Sequence, residues 1–143
     1  MKPMKVTNDF KMVIVIDDEL VVGLKANTAA VLSLTLGNKI EGLIGKDLSD
    51  GSGRVHKALT TVPLPILKCN LEKLKEVYNK AYELKDEILL VDVTYAAQTT
   101  KNYLDYELKL KQTLSDELKL LGIALGGPSK LINKLTGSLA LLR

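Results

Sequence analysis

Short apolar runs alternate with longer amphipathic segments along this chain. Three runs carry apolar, often β-branched residues on consecutive positions, at residues 11–16, 87–93 and 120–125. Consecutive apolar positions are typical of strands that are buried on both faces, as in a sheet covered by helices on each side. The pattern therefore predicts three buried strands that belong to one covered sheet.

Two of the intervening segments have the composition and spacing of helices. Residues 23–37 are rich in alanine and leucine and predict a buried helix that ends at Gly37, although residues 32–36 also alternate like a strand. Residues 71–81 place apolar side chains at helical spacing behind Asn70, which we expect to be the N-cap.

The other segments predict a broken helix, a hairpin loop and an extended stretch. Residues 101–119 are charged and amphipathic and predict a helix that breaks or restarts at Ser115, and residues 131–135 predict a last short helix. Glycines at 42–57 indicate a loop or a hairpin tip. Residues 60–68 contain two prolines and predict an extended segment at a sheet edge or just before a strand.

Strands and helices alternate throughout the chain, which indicates a single α/β domain over residues 1–143. We expect a three-layer α/β/α arrangement around a mixed, mostly parallel sheet of about four strands. The sequence contains no internal repeat, linker or low-complexity segment.

Composition and charge narrow the classes of function. The net charge is +3 and the pI is about 8.9, which falls well short of the lysine and arginine excess of a dedicated nucleic-acid binder. The single cysteine, Cys69, rules out an internal disulfide, and with one histidine, His56, the chain cannot form a cysteine/histidine zinc cluster. No apolar run approaches the roughly 20 residues needed to cross a bilayer. We expect a soluble, cytoplasmic protein with no metal, no cofactor and no membrane partner.

The junction after the first predicted strand gathers polar residues. Asp18 belongs to the acidic stretch behind the strand, and Lys25, Asn27 and Thr28 lie where the next helix begins. In α/β sheets ligands bind beyond the carboxyl ends of the strands, and a lysine near a helix N-terminus can hold an anion. The alternative is that the acids are solvated turn residues and that Asn27 or Thr28 is an N-cap.

A second polar group follows the middle buried strand. Asp92, Thr94 and Gln98 would emerge at the same sheet end as Asp18 if the two strands run in one direction. The alternative is a turn aspartate whose hydrogen bonds are satisfied locally. His56 follows a glycine-rich loop and is either a general base at the rim of the same cleft or an ordinary surface histidine.

Both ends of the chain resemble the type II peptidyl-tRNA hydrolase domain. The opening KMVIVIDDEL…GLKANTAAVL is similar to that family's first strand, glycine/lysine turn and Ala-Ala helix, and LGIALGGPSKLINKLTGSLALL is similar to its last strand, Gly-Pro turn and Thr-Gly-x-Leu ending. Over nearly the full length the chain resembles more closely the bacterial domain of unknown function 2000 family, through KANTAAVLSL, HKALTTVPLPIL and NKLTGSLALLR. That resemblance implies a peptidyl-tRNA hydrolase II-like fold.

The hydrolase resemblance implies that Lys25 and Asp92 match a lysine and an aspartate of that family. The chain departs from the hydrolases at Val31, where they carry glutamine behind the Ala-Ala pair, and at Thr94, where they carry glycine. Residues 101–119 resemble a helical insertion before the last strand. These departures affect the surroundings of both implied site residues.

Three functions are compatible with the sequence. The first is binding of, or catalysis on, an unknown small ligand in a cleft at the strand carboxyl ends. The second is a peptidyl-tRNA hydrolase-like esterase, for which tRNA is a possible but not favoured partner because lysines alternate with acidic residues. The third is a non-catalytic homo-oligomer, and we expect a dimer. The candidate catalytic residues are Lys25, Asp92 and His56, and the candidate ligand-binding residues are Asp18, Asn27, Thr28, Thr94 and Gln98.

Overall fold

The computed structural model describes residues 3–143. The strands are Met4–Lys5 (β1), Phe10–Asp17 (β2), Ile40–Glu41 (β3), Leu48–Ser49 (β4), Val55–His56 (β5), Ile66–Cys69 (β6), Leu89–Thr94 (β7), Leu120–Pro128 (β8) and Ala140–Leu141 (β9). The α-helices are Val22–Lys39 (α1), Leu71–Glu83 (α2), Tyr95–Gln98 (α3), Tyr103–Lys111 (α4) and Ser129–Thr136 (α5), and Ser115–Glu117 forms a 3-10 helix. The fold is thus mixed α/β.

A five-stranded mixed sheet forms the centre of the domain, with its strands in the order β7-β8-β2-β6-β9. Within it β2 pairs with β6 in parallel, whereas β2 with β8, β7 with β8 and β6 with β9 are antiparallel. The expected mixed sheet is thus confirmed, with five strands where about four were expected, but the expectation that most of its strands are parallel is wrong. An apolar run indicates that a strand is buried but not in which direction it runs. The antiparallel strand β8 is as apolar as a central parallel strand, so its sequence could not reveal its direction.

The three predicted buried strands correspond to β2, β7 and β8, and the prediction that they share one sheet is confirmed. Side chains alternate between the faces of β2. Met12, Ile14 and Ile16 pack on the side of α1, whereas Val13 and Val15 pack on the side of α2 and α5. Helices therefore pack on both faces of the sheet, which explains why β2 is apolar at consecutive positions.

The predicted helices are present, and one boundary is corrected. α1 runs through Gly37 to Lys39, so Gly37 does not end the helix. Among the described residues the glycines with positive φ are Gly42, Gly53 and Gly127, and without a positive φ Gly37 cannot form a left-handed helix cap. The N-cap prediction for Asn70 is confirmed, since its side chain accepts a hydrogen bond of 2.8 Å from the Lys73 amide.

The segments predicted as loops resolve into short strands and turns. Residues 42–57 contain the antiparallel hairpin of β4 and β5, as the glycine-rich pattern suggested. The proline-containing stretch leads into β6, which lies between β2 and β9 and is not an edge strand. The expected helix over 101–119 is the shorter α4 followed by the 3-10 helix.

Helix α1 lies very close to β8 at Gly122. A Cβ atom at this position would lie 2.9 Å from Thr28 Cγ2, 2.9 Å from Ile16 Cδ1 and 2.9 Å from the carbonyl oxygen of Val15. Real Cβ atoms essentially never lie this close to other heavy atoms, and one of the three neighbours is backbone, so only glycine allows α1 and the strands to approach this far.

We predict that Gly122→Ala lowers the free energy of unfolding by about 1–3 kcal/mol, because the methyl group must displace the helix or the strand. The matched control is Gly37→Ala in the last turn of α1, where a Cβ would have no neighbour within 4 Å. This control should gain about 0.5–1 kcal/mol from the helix propensity of alanine. Urea denaturation measures both changes, and a Gly122→Ala protein as stable as the parent would contradict the close contact.

Candidate functional site

Two lysines converge on Asp18 beyond the carboxyl ends of β2 and β6. Asp18 is the residue after β2, and its amide donates a hydrogen bond of 3.0 Å to the Cys69 carbonyl, which extends the parallel pairing by one step. Lys25 Nζ, from the first turns of α1, donates to Asp18 Oδ1 at 3.1 Å. Lys68 Nζ, from β6, lies 3.8 Å from Asp18 Oδ2. We call Asp18, Lys25 and Lys68 the Asp18 cluster.

The Asp18 cluster is cationic and only partly exposed. Lys25 is the most protected member, with 18% of its side chain exposed. The hydrogen bond from Lys25 lowers the pKa of Asp18, and the charge of Lys68 acts in the same direction against the opposing effect of desolvation. The three side chains of the cluster, two ammonium groups and one carboxylate, sum to a charge of +1, and the ammonium groups are the members that can bind an anionic group.

Asn27 and Gln98 form a bridge between α1 and α3. The Gln98 side-chain amide donates to Asn27 Oδ1 at 3.1 Å, so the structure brings together two of the predicted ligand-binding residues. Thr28 and Thr94 are completely buried, and their hydroxyl oxygens have no hydrogen-bond partner within residues 3–143. A ligand can reach these two hydroxyls only after the residues around them move.

Asp92 lies apart from the Asp18 cluster. The strands β2 and β7 run in the same direction, since both are antiparallel to β8. This direction is the condition under which their polar ends were expected to lie at the same end of the sheet. Along β7, however, Val91 and Val93 pack on the side of α1, whereas Leu90 packs on the side of α2. By this alternation Asp92 is turned to the side of α2, away from the face that carries α1 and Lys25.

Asp92 is one of the residues that line a surface cavity of about 510 Å³ at the outer edge of β7, together with Tyr103 and Tyr106 of α4. Burial raises the pKa of Asp92. Burial also raises the pKa values of Tyr78 and Tyr106, with a further contribution from the negative charge of Asp92. Asp92 is therefore a partly desolvated acid beside two phenols, on a different surface from Lys25.

His56 belongs to the β4–β5 hairpin. Its Nε2 lies 2.8 Å from Asp50 Oδ2, and Asp50 Oδ1 accepts hydrogen bonds from the amides of Ser52 and Arg54. The hydrogen bond from His56 and those two amides lower the pKa of Asp50. These contacts fix the hairpin turn, so the structure gives His56 a local role in the hairpin and joins it to neither Lys25 nor Asp92.

Cys69 is a poor nucleophile. Burial, with a contribution from the charge of Asp17, raises the pKa of Cys69 to about 11, so the thiol stays protonated near neutral pH. Within residues 3–143, no group of three or more histidine, cysteine, aspartate or glutamate side chains is arranged to hold a metal ion. None of the helices in that range has the length and apolar character required to cross a membrane.

Two residues of these surfaces, Lys68 and Tyr106, were not predicted from the sequence. Lys68 reaches Asp18 because β6 pairs in parallel with β2, a register that places Asp17 opposite Cys69. Tyr106 reaches the surroundings of Asp92 through the fold of a segment more than ten residues further along the chain. The tyrosine spacing in YLDYEL was visible in the sequence, but nothing in it indicated a position beside β7.

These features define an α/β domain with a mixed five-stranded sheet and a lysine–aspartate cluster at the carboxyl ends of its parallel strand pair. The chain belongs to the family described as "Protein of unknown function (DUF2000)", whose profile matches residues 10–143. The resemblance to this family is thereby confirmed. The resemblance to the type II peptidyl-tRNA hydrolases stays a prediction.

A solved structure of a protein of unknown function from Agrobacterium tumefaciens strain C58 is similar to this chain. The two share 23% sequence identity with a TM-score of 0.86, over 96% of this chain and 100% of the other. At this level of identity the likeness establishes a common fold. No curated protein matches the chain.

We predict that Asp92→Asn stabilises the folded protein near neutral pH. Because the folded-state pKa of Asp92 is raised, the acid destabilises the fold once the pH rises through that pKa, and it has no such effect where it is protonated in both states. The gain should reach about 0.5–2 kcal/mol near pH 7, the usual range for a single stabilising substitution. It should vanish at about pH 3, below the ordinary aspartate pKa of about 3.9.

Thermal or urea unfolding of both proteins across this pH range measures the difference. The control is Asp86→Asn, which removes an exposed carboxylate from the turn that follows α2. It should leave the free energy of unfolding unchanged at every pH. A lower stability of Asp92→Asn near neutral pH would contradict the desolvated state of Asp92.

Proposed function

We propose that the protein binds a small anionic ligand, carrying a carboxylate or phosphate group, at the Asp18 cluster. The observation that carries the proposal is the convergence of Lys25 and Lys68 on one carboxylate, so that two ammonium groups of the cluster share a single acidic partner. Lysine ammonium groups are point donors suited to such anions. The lysine side chains are partly buried, so little order has to be created on binding.

The position of the Asp18 cluster in the fold supports a ligand site. It lies beyond the carboxyl ends of the parallel pair β2 and β6, where ligands bind in α/β sheets. Helix α1 begins directly behind it, has no side-chain cap at Val21 and carries no acidic residue in its first turn. The dipole of this helix of 18 residues therefore adds to the attraction of the two lysines for an anion.

A peptidyl-tRNA hydrolase-like esterase is the second candidate. The observation that favours it is Lys25, which follows the first central strand at the start of the Ala-Ala helix, as the resemblance implies. A three-layer, peptidyl-tRNA hydrolase II-like arrangement belongs to this candidate as well. Its weakness is the partner of Lys25, which is Asp18 and not the Asp92 that the resemblance pairs with it.

Titration with inorganic phosphate and with acetate, followed by NMR amide shifts, tests the anion site. We expect saturable shifts of residues 18–25 and of Lys68, and Lys25→Gln should weaken the affinity by about tenfold because it removes one charge-assisted hydrogen bond. Asp18→Asn should strengthen it several-fold, since the ammonium groups then lose their competing carboxylate.

Lys80→Gln is the matched control, because Lys80 is also paired with an acid, Glu76 at 3.0 Å, but lies on α2 away from the sheet end. It should bind phosphate like the parent protein. If Lys25→Gln and Lys80→Gln titrate alike, or if Asp18→Asn weakens binding, the anion site is refuted.

The two candidates differ in their response to tRNA. With a net charge of +3 and mixed-sign helices, we predict weak tRNA binding that disappears near a physiological ionic strength of about 0.15 M. Fluorescence anisotropy of labelled tRNA at low and physiological salt measures this. Tight binding that persists at physiological salt, together with cleavage of peptidyl-tRNA, would instead establish the hydrolase.

A further inference from the structure

A second surface with opposite chemistry lies along the outer edge of β7. This strand ends the five-stranded sheet, and its free edge lines the cavity of about 510 Å³ that contains Asp92. That volume lies within the range of small-molecule sites. Lys25, Lys68 and Asp18 do not line the cavity, so it is separate from the Asp18 cluster.

Asp92 gives the cavity an uncompensated negative charge. Its carboxyl is partly buried, and no lysine, arginine or histidine within residues 3–143 forms an ion pair with it. Lys101 also lines the cavity, but it is exposed and makes no ion pair with Asp92. A partly desolvated carboxylate without a counter-ion is complementary to a cation.

The other walls of the cavity suit an organic cation. Tyr103 and Tyr106 form an edge-to-face pair with ring centroids 5.7 Å apart, and the faces of such rings attract ammonium and guanidinium groups. Val31, Val91 and Val93 line the cavity on the α1 side of the edge strand β7 and supply apolar surface for a short hydrocarbon chain, whereas Asp92 lines it from the α2 side of the same strand. A carboxylate, two aromatic rings and an apolar wall together distinguish such a ligand from a hydrated metal ion.

We propose that the β7-edge cavity binds a small organic cation, an ammonium or guanidinium group on a short apolar chain, through Asp92, Tyr103 and Tyr106. This site is independent of the anion site, because it lies on another edge of the sheet and selects the opposite charge. A failure of the phosphate titration therefore leaves it untouched.

Amide shifts on titration with n-butylammonium and n-butylguanidinium test the proposal, with neutral n-butanol and anionic butyrate as isosteric controls. We expect the two cations to shift residues 91–106 saturably, while butanol and butyrate do not. Asp92→Asn should weaken binding at least tenfold, and Tyr106→Leu should weaken it several-fold. Glu107→Gln, which removes an exposed carboxylate from the same helix α4, should bind like the parent protein.

Three results would overturn the proposal: equal shifts with butanol, undiminished affinity in Asp92→Asn, or binding that appears only in Lys101→Gln. The last result would mean that Lys101 itself is the cation that occupies the site in solution. Unfolding midpoints of each variant, measured beside the titrations, establish that a lost affinity comes from a folded protein.

Discussion

The close packing of α1 on β8 at Gly122 positions both candidate sites. Because Gly122 has no side chain, Thr28 of α1 contacts the strand directly, and this contact fixes where the helix lies along the sheet. One end of α1 then places Lys25 beside Asp18, and the middle of the helix places Val31 in the wall of the cavity at β7. A shift of α1 would change the geometry of both surfaces together, since a packed interface moves as a unit.

The two surfaces have opposite electrostatics on one scaffold. At the Asp18 cluster, two ammonium groups outnumber the carboxylate, whose pKa is lowered by its hydrogen bond to Lys25. At the β7 edge, Asp92 forms no ion pair within residues 3–143, and its pKa is raised by burial. We expect a carboxylate in that position to cost stability near neutral pH, and acids with perturbed pKa values cluster at functional sites.

Local sequence patterns predicted the elements better than their arrangement. The apolar runs located β2, β7 and β8, and Asn70 identified the start of α2, because burial and capping depend on neighbouring residues. The mostly parallel direction was wrong, and the fifth strand was not foreseen, because pairing joins segments far apart in the chain. β9, for example, has only two residues and leaves no periodic signal, yet it covers β6 at the edge of the sheet.

For the candidate site, too, some features follow from the local sequence and others only from the tertiary structure. By itself the sequence determined the family, the polar junction behind β2 and the presence of Lys25 at the start of α1. Only the tertiary structure decided that Asp18 and Lys68 are the partners of Lys25, and that Asp92 belongs to another surface. The physical reason is that a side chain's partners follow from strand register and from the face it occupies. Moving Asp92 by one position along β7 would have turned it toward α1, with almost no change in the local sequence pattern.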